Sequence, residues 1–221
     1  TPEGIDMWRS WHNTVALTGG TAMISEPVNK PDVQAVWRNY EIMRPASREN
    51  SRLLTLGKSD KNSIFGFSAD RTWGDFAVYN LYNSDKNKSV DLTLDFADAG
   101  LPAGTRCAVY NFWENKVVGY ATDSFTGKNI AKNGSLLLRF TPLTGDSPQL
   151  VGSNLHLSIG ATEIEEVYTT SKSIKIMLSS AGAQTGDLIF YSIKPLEAGV
   201  SENCSISFVQ GLGDNLWKVS V

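Results

Sequence analysis

The stretch "TVALTGGTAMISEPVNKPD", residues 14–32, decides how this chain is read. Gly19 and Gly20 stop one helical pattern, "TAMIS" (Thr21 to Ser25) is short and apolar without a polar alternate face, and Pro31 opens a second helical pattern. A strand lacking a polar face is expected where both of its faces are covered, as in a parallel sheet. A lone strand cannot satisfy its own backbone N–H and C=O groups, so its partners must lie elsewhere. Upstream, Met7, Trp8, Trp11 and Val15 recur at three- and four-residue intervals and predict an amphipathic helix over 5–18. Downstream, Val33, Val36, Trp37, Tyr40 and Met43 line one face of a helix predicted over 31–43. Helix, strand, helix is one unit of an α/β sheet or barrel whose other strands are absent from this sequence, with the expectation that Thr1 is not the natural start. The alternative is a small α+β cap in which "TAMIS" pairs with the sheet that follows.

From about Ser63 the period changes to two. "VDLTLDF" places Val90, Leu92, Leu94 and Phe96 opposite Asp91, Thr93 and Asp95, and "SLLLRF" (135–140) and "CSISFV" (204–209) alternate likewise. These read as half-buried antiparallel strands. "NSDKNKS", "ADAGLPAG", "NG" at 133–134 and "AGAQTGD" supply the turns between them, and many short strands at this spacing indicate a sandwich. The predicted fold is α+β but mainly β: residues 1–57 as a helix–strand–helix unit and 58–221 as an antiparallel β-sandwich. Within the latter, 166–221 ("SIKIML", "DLIFYSI", "CSISFV") supplies extra strands or a second small sheet.

Composition excludes some partners. The formal net charge of −3 comes from 20 basic and 23 acidic residues spread along the chain, which gives no electrostatic footprint for nucleic acid. No apolar run approaches the roughly 20 residues of a membrane span. Cys107 and Cys204 are far apart in sequence and read as thiols rather than a staple framework. Without clustered carboxylates, and with His12 and His156 far apart, no metal constellation is readable, and no phosphate-binding glycine loop or nucleophile elbow occurs. No cofactor is expected.

The runs "WHNTVALTGGTAMISEPVNKPDVQAV", "FAVYNLYNS", "DFADAGLPAGTRCAVYNFWENKVVGY", "LLLRFTPL" and "LVGSNLHLSIG" resemble the C-terminal part of clan D glycoside hydrolases, the α-galactosidases of families 27 and 36 with their raffinose-synthase-like members. The resemblance covers about residues 7–165. It implies that residues 1–57 hold the last strand and helix of a (β/α)8 barrel and that the sandwich follows it. It also implies a parent enzyme that acts on α-galactosides by a retaining double displacement, in which one aspartate attacks and another serves as acid/base. Both aspartates of the family arise from earlier barrel strands, so no catalytic residue is assigned to this chain and the N-terminal barrel of the same protein is its expected partner. Barrel active sites form at the C-terminal ends of the strands, which makes Ser25 and Glu26 the candidate sugar-contacting residues, with a solvated loop carboxylate or helix cap as the alternative for Glu26. The pattern of raffinose-synthase-like sequences there, "SD" then "KPGKHD", is replaced by "SEPVNKPD", which leaves sugar specificity open. A non-catalytic carbohydrate-binding or interaction sandwich is the rival reading, carried by Trp73, Tyr79, Tyr110, Trp113 and Tyr120. Solvent-facing coplanar rings would favour it, and rings packed against residues 1–57 would favour scaffolding.

Overall fold

The computed structural model describes residues 2–20, 29–34, 36–58 and 62–221. The strand expected at 21–25 lies outside them. Helix α1 spans Pro2–Leu17. It ends where Gly19 adopts φ +70°, a left-handed conformation that a residue with a Cβ resists, while Gly20 N–H donates to Val15 O at 3.2 Å. The helix expected over 31–43 is instead two short ones, α2 (Pro31–Gln34) and α3 (Trp37–Glu41). Val36 lies between them with φ −113° and ψ 12°, and the bonds around it, Val36 N–H to Val33 O and Asn39 N–H to Val36 O, span three residues rather than four.

Three strands, β1 (Arg52–Leu53), β2 (Asn62–Ala69) and β3 (Phe76–Asn83), follow in one antiparallel run. The chain then leaves that sheet for β4 (Val90–Asp95), returns as β5 (Cys107–Asn111) and β6 (Lys116–Ala121), leaves again for β7 (Ser124–Ile130) and comes back as β8 (Ser135–Pro142) between β3 and β5. The result is a six-stranded sheet ordered β1-β2-β3-β8-β5-β6, faced by the β4–β7 pair. Leu92, Leu94 and Phe96 project from that pair onto Tyr79, Leu81, Leu138 and Phe140, which makes the sandwich core. Beyond β8 come β9 (Gln149–Ser153), the hairpin β10 (Ile164–Thr169) and β11 (Ile174–Leu178), then β12 (Asp187–Tyr191), β13 (Phe208–Gly213) and β14 (Leu216–Ser220). Strands β13-β14-β12-β9 form a further antiparallel sheet.

Two of the expected half-buried strands differ from the prediction. β4 does alternate, but β8 is covered on both faces: Leu138 and Phe140 point into the sandwich, and Leu137 joins a second core with Phe67, Phe76, Val78, Tyr110, Ile159 and Ile189. The six-stranded sheet is a middle layer, because α1, the connector after α3, the 154–160 loop and β12 cover its other face. In the "CSISFV" run only Phe208 and Val209 are in a strand. The Asp214–Asn215 turn, both residues at positive φ, sets a hairpin in which Phe208 already pairs with Ser220 at the end of β14, so residues 204–206 have no strand opposite them.

Candidate functional site

Ser25 and Glu26, the candidate sugar contacts, lie outside the described residues. The described residues instead place two buried polar clusters where the helices and the C-terminal sheet meet the sandwich. The first is on α1. The apolar stripe read from sequence is not its packing face: Trp11 is 52% exposed, Met7 59% and Ile5 52%, and Trp8 and Val15 are half-buried. Ser10, His12, Asn13, Ala16 and Leu17 are buried instead. Asn13 Nδ2 donates to Asn80 Oδ1 of β3 (2.8 Å) and Ser135 Oγ of β8 (3.0 Å), while its Oδ1 accepts from Trp113 Nε1 (3.0 Å). Ser10 Oγ lies 3.0 Å from Ser135 Oγ and 3.1 Å from Asn133 O. Asparagine suits this place because one side chain offers two donors and an acceptor to three different elements. Asn13→Ala leaves Trp113 Nε1 and Asn80 Oδ1 unpaired, and thermal unfolding followed by tryptophan fluorescence should show a loss of about 1–3 kcal/mol.

Beside this cluster, His12 donates Nδ1–H to Trp8 O at 2.9 Å and lies under the Trp8 ring, with centroids 3.6 Å apart. Burial holds its pKa below the ordinary value, so the ring is neutral at pH 7. On its outer side α1 forms a cleft of about 510 Å³ with α3 and the β5–β6 turn, lined by Ile5, Trp8, Arg9, Val36, Tyr40 and Trp113.

The second cluster centres on Arg139 of β8, which is wholly buried. Its Nε donates to Thr141 Oγ1 (2.9 Å), Nη1 to Ile159 O (2.7 Å) and Nη2 to Leu150 O (3.0 Å), and its guanidinium carbon lies 3.9 Å from the Phe76 ring centroid. Burial lowers its pKa to about 9, opposed by the charge of Glu163, so it remains a cation at neutral pH. Buried Glu163 accepts from Gly160 N–H at 2.7 Å, and its other oxygen lies 3.3 Å from Ser158 Oγ. His156 completes the group: its Nε2–H donates to Pro45 O (2.7 Å) and its Nδ1 accepts from Ser158 N–H (3.0 Å). A side chain at Gly160, whose φ is +104°, would collide with Arg139 Nη1. His156 and Ser158 are buried in a turn segment, where Pro45 O, Thr162 and Glu163 supply their polar partners.

Among the described residues no group of three or more His, Cys, Asp and Glu side chains is placed to hold a metal, and no helix is long and apolar enough to cross a membrane. Cys107 is buried and Cys204 exposed, both free, with the Cys107 thiol pushed up to about 11 by burial. The aromatic side chains that carried the sugar-binding reading are engaged within the protein. Tyr79 and Tyr110 are buried, Trp73 stacks on Phe76 with centroids 5.4 Å apart, Trp113 is bonded to Asn13, and Arg106 lies 3.9 Å from the Tyr120 centroid.

Residues 68–140, from the end of β2 to β8, match the family model of the alpha galactosidase C-terminal beta sandwich domain. This region is a clan D glycoside hydrolase C-terminal domain. Solved structures similar to the chain include an α-N-acetylgalactosaminidase assigned from Bacillus halodurans (TM-score 0.51, 14% identity, 63% of this chain and 31% of that one), which shares the fold of this domain. Also similar are α-galactosidase I from Mortierella vinacea (TM-score 0.48, 13% identity, 63% and 37%) and a family 27 β-L-arabinopyranosidase from Geobacillus stearothermophilus (TM-score 0.49, 10% identity, 63% and 31%). The chain spans about a third of the length of each of these structures. No curated protein matches the sequence. Arg139 lies at the end of this clan D domain, and Asn80, Trp113 and Ser135 lie inside it, so the domain supplies the partners that bind α1.

Sequence reasoning missed Asn13, Arg139, Glu163 and the role of His156. One signal was legible: in "SLLLRFTP" an arginine occupies the same face as Leu137, and a charge inside a strand covered on both sides requires buried partners.

Proposed function

We propose that this chain is the C-terminal part of a retaining α-galactosidase-like glycoside hydrolase acting on α-galactosides, with residues 1–57 as the terminal unit of its barrel and the sandwich from 58 onward bracing that barrel. The observation that supports this most is the two-sidedness of α1: its polar residues Ser10 and Asn13 are bonded to the sandwich, while Ile5, Met7 and Trp11 stay exposed. A helix that turns its apolar stripe away from its own core is suited to packing against further elements. The missing N-terminal barrel of the same protein is the partner this face fits. The engaged aromatic rings favour scaffolding over a sugar-binding sandwich.

In this reading the nucleophile and the acid/base belong to other barrel strands, with their carboxyls roughly 5–5.5 Å apart. The same proposal gives Ser25 and Glu26 the role of sugar contacts, with the Glu26 carboxylate accepting hydrogen bonds from sugar hydroxyls and setting orientation rather than chemistry. The test is a chromogenic α-galactoside assay of the chain joined to its barrel. Glu26→Gln should raise KM roughly ten- to hundredfold, the worth of a charged hydrogen bond, with kcat largely kept. A kcat collapse at unchanged KM would instead make Glu26 part of the chemistry.

A further inference from the structure

We propose that His156 is an acid-sensitive pin, holding the connector between the helices and the sandwich closed at neutral pH and releasing it as the solvent turns acidic. The connector, residues 42–47, is tied down by a short series of bonds. Leu157 N–H donates to Ile42 O (2.8 Å), Gly182 N–H to Arg44 O (2.9 Å), and His156 Nε2–H to Pro45 O (2.7 Å); Ser47 N–H reaches back to Ala16 O (3.0 Å). His156 is the titratable member of that series. It also organises its own loop, because Nδ1 accepts from Ser158 N–H at 3.0 Å and lies 2.8 Å from Ser158 Oγ, which in turn accepts from Thr162 N–H at 3.0 Å.

Both ring nitrogens are therefore committed in one tautomer. A proton added to Nδ1 ends the bond it accepts from Ser158 N–H, leaves Ser158 Oγ at 2.8 Å as the acceptor within reach, and puts a charge in a site with almost no water contact. The charged groups around the ring do not remove that cost. Glu163 reaches it only through Ser158 Oγ, and it is already bonded to Gly160 N–H. Arg139 of β8 lies behind Glu163 with its guanidinium on Ile159 O, and Arg44 in the connector turns its guanidinium over the Trp37 ring. The neighbouring 182–183 segment, Gly182 and Ala183, carries no titratable side chain, and a Cβ at Gly182 would come within 3.1 Å of the His156 Cβ.

Burial lowers the closed-state pKa of His156 more than Glu163 raises it. Opening the connector returns the imidazole to about 6.5, so opening takes up a proton. The closed state is thus fully favoured above pH 6.5 and loses ground as pH falls from there toward the closed-state pKa, roughly tenfold in the opening equilibrium per unit. This concerns the chain's own connector and does not depend on the sugar substrate.

Hydrogen exchange of the purified protein between pH 7.5 and 5, corrected for the intrinsic exchange rate, tests it. The Leu157 and Gly182 amides should lose protection roughly tenfold per unit below about pH 6.5, while amides at the Tyr79–Leu138 centre of the sheet keep theirs. In His156→Gln, whose amide can still donate to Pro45 O, the dependence should vanish. Flat protection in the unsubstituted protein, an equal loss across β3 and β8, or an unchanged loss in the variant would each overturn the proposal. Should the variant fail to fold, an NMR titration of the His156 Cε1 proton decides: a midpoint well below 6.5 supports the pin, and one at or above 6.5 refutes it.

Discussion

Arg139→Ala should destabilise the protein by about 3–5 kcal/mol, the range for removing one partner from a buried charge network, and prevent folding if the domain has ordinary marginal stability. The loss has identifiable parts. Leu150 O and Ile159 O lose their donors, Thr141 Oγ1 loses Nε, and Glu163 loses the cation that offsets its buried charge. The vacated volume also lies against the Phe76 ring. Arg139→Lys keeps the charge but replaces the planar fork by a single ammonium group, and should recover only part of the loss. Urea unfolding of both variants gives the measurement. A midpoint for Arg139→Ala within the error of the unsubstituted protein would mean that Leu150 O, Ile159 O and Glu163 are satisfied without it.

What could be read in advance divides along physical lines. Local rules reached β4, where Asp91, Thr93 and Asp95 face outward, and the end of α1, where a glycine pair follows a periodic run. They did not reach the face that α1 buries, because the reasons for burying Asn13 lie 67, 100 and 122 residues away in Asn80, Trp113 and Ser135. Period-two alternation cannot distinguish a strand covered on one side from a middle-layer strand that carries a polar side chain with buried partners, and β8 is the second kind. The β13 boundary was misread for a related reason. "CSISFV" alternates, but a strand starts where a partner exists, and the Asp214–Asn215 turn sets that point at Phe208. The split between α2 and α3 had no readable signal beyond the β-branched pair Val33 and Val36. For the candidate sugar contacts Ser25 and Glu26, which lie outside the described residues, the strand expected from the sequence and the family resemblance carry the proposal.

The central claim is that this chain braces a glycosidase without containing its catalytic pair, and the most direct measurement is turnover of a chromogenic α-galactoside by a homogeneous sample of the chain alone. Retaining chemistry needs one carboxylate to attack the anomeric carbon and another to protonate the leaving oxygen, and neither role is filled by a lone acid. Joined to its barrel, the protein should turn the substrate over; alone, the chain should give no rate above buffer. Turnover by the isolated chain that disappears in Glu26→Gln would contradict the account and make Glu26 a catalytic residue.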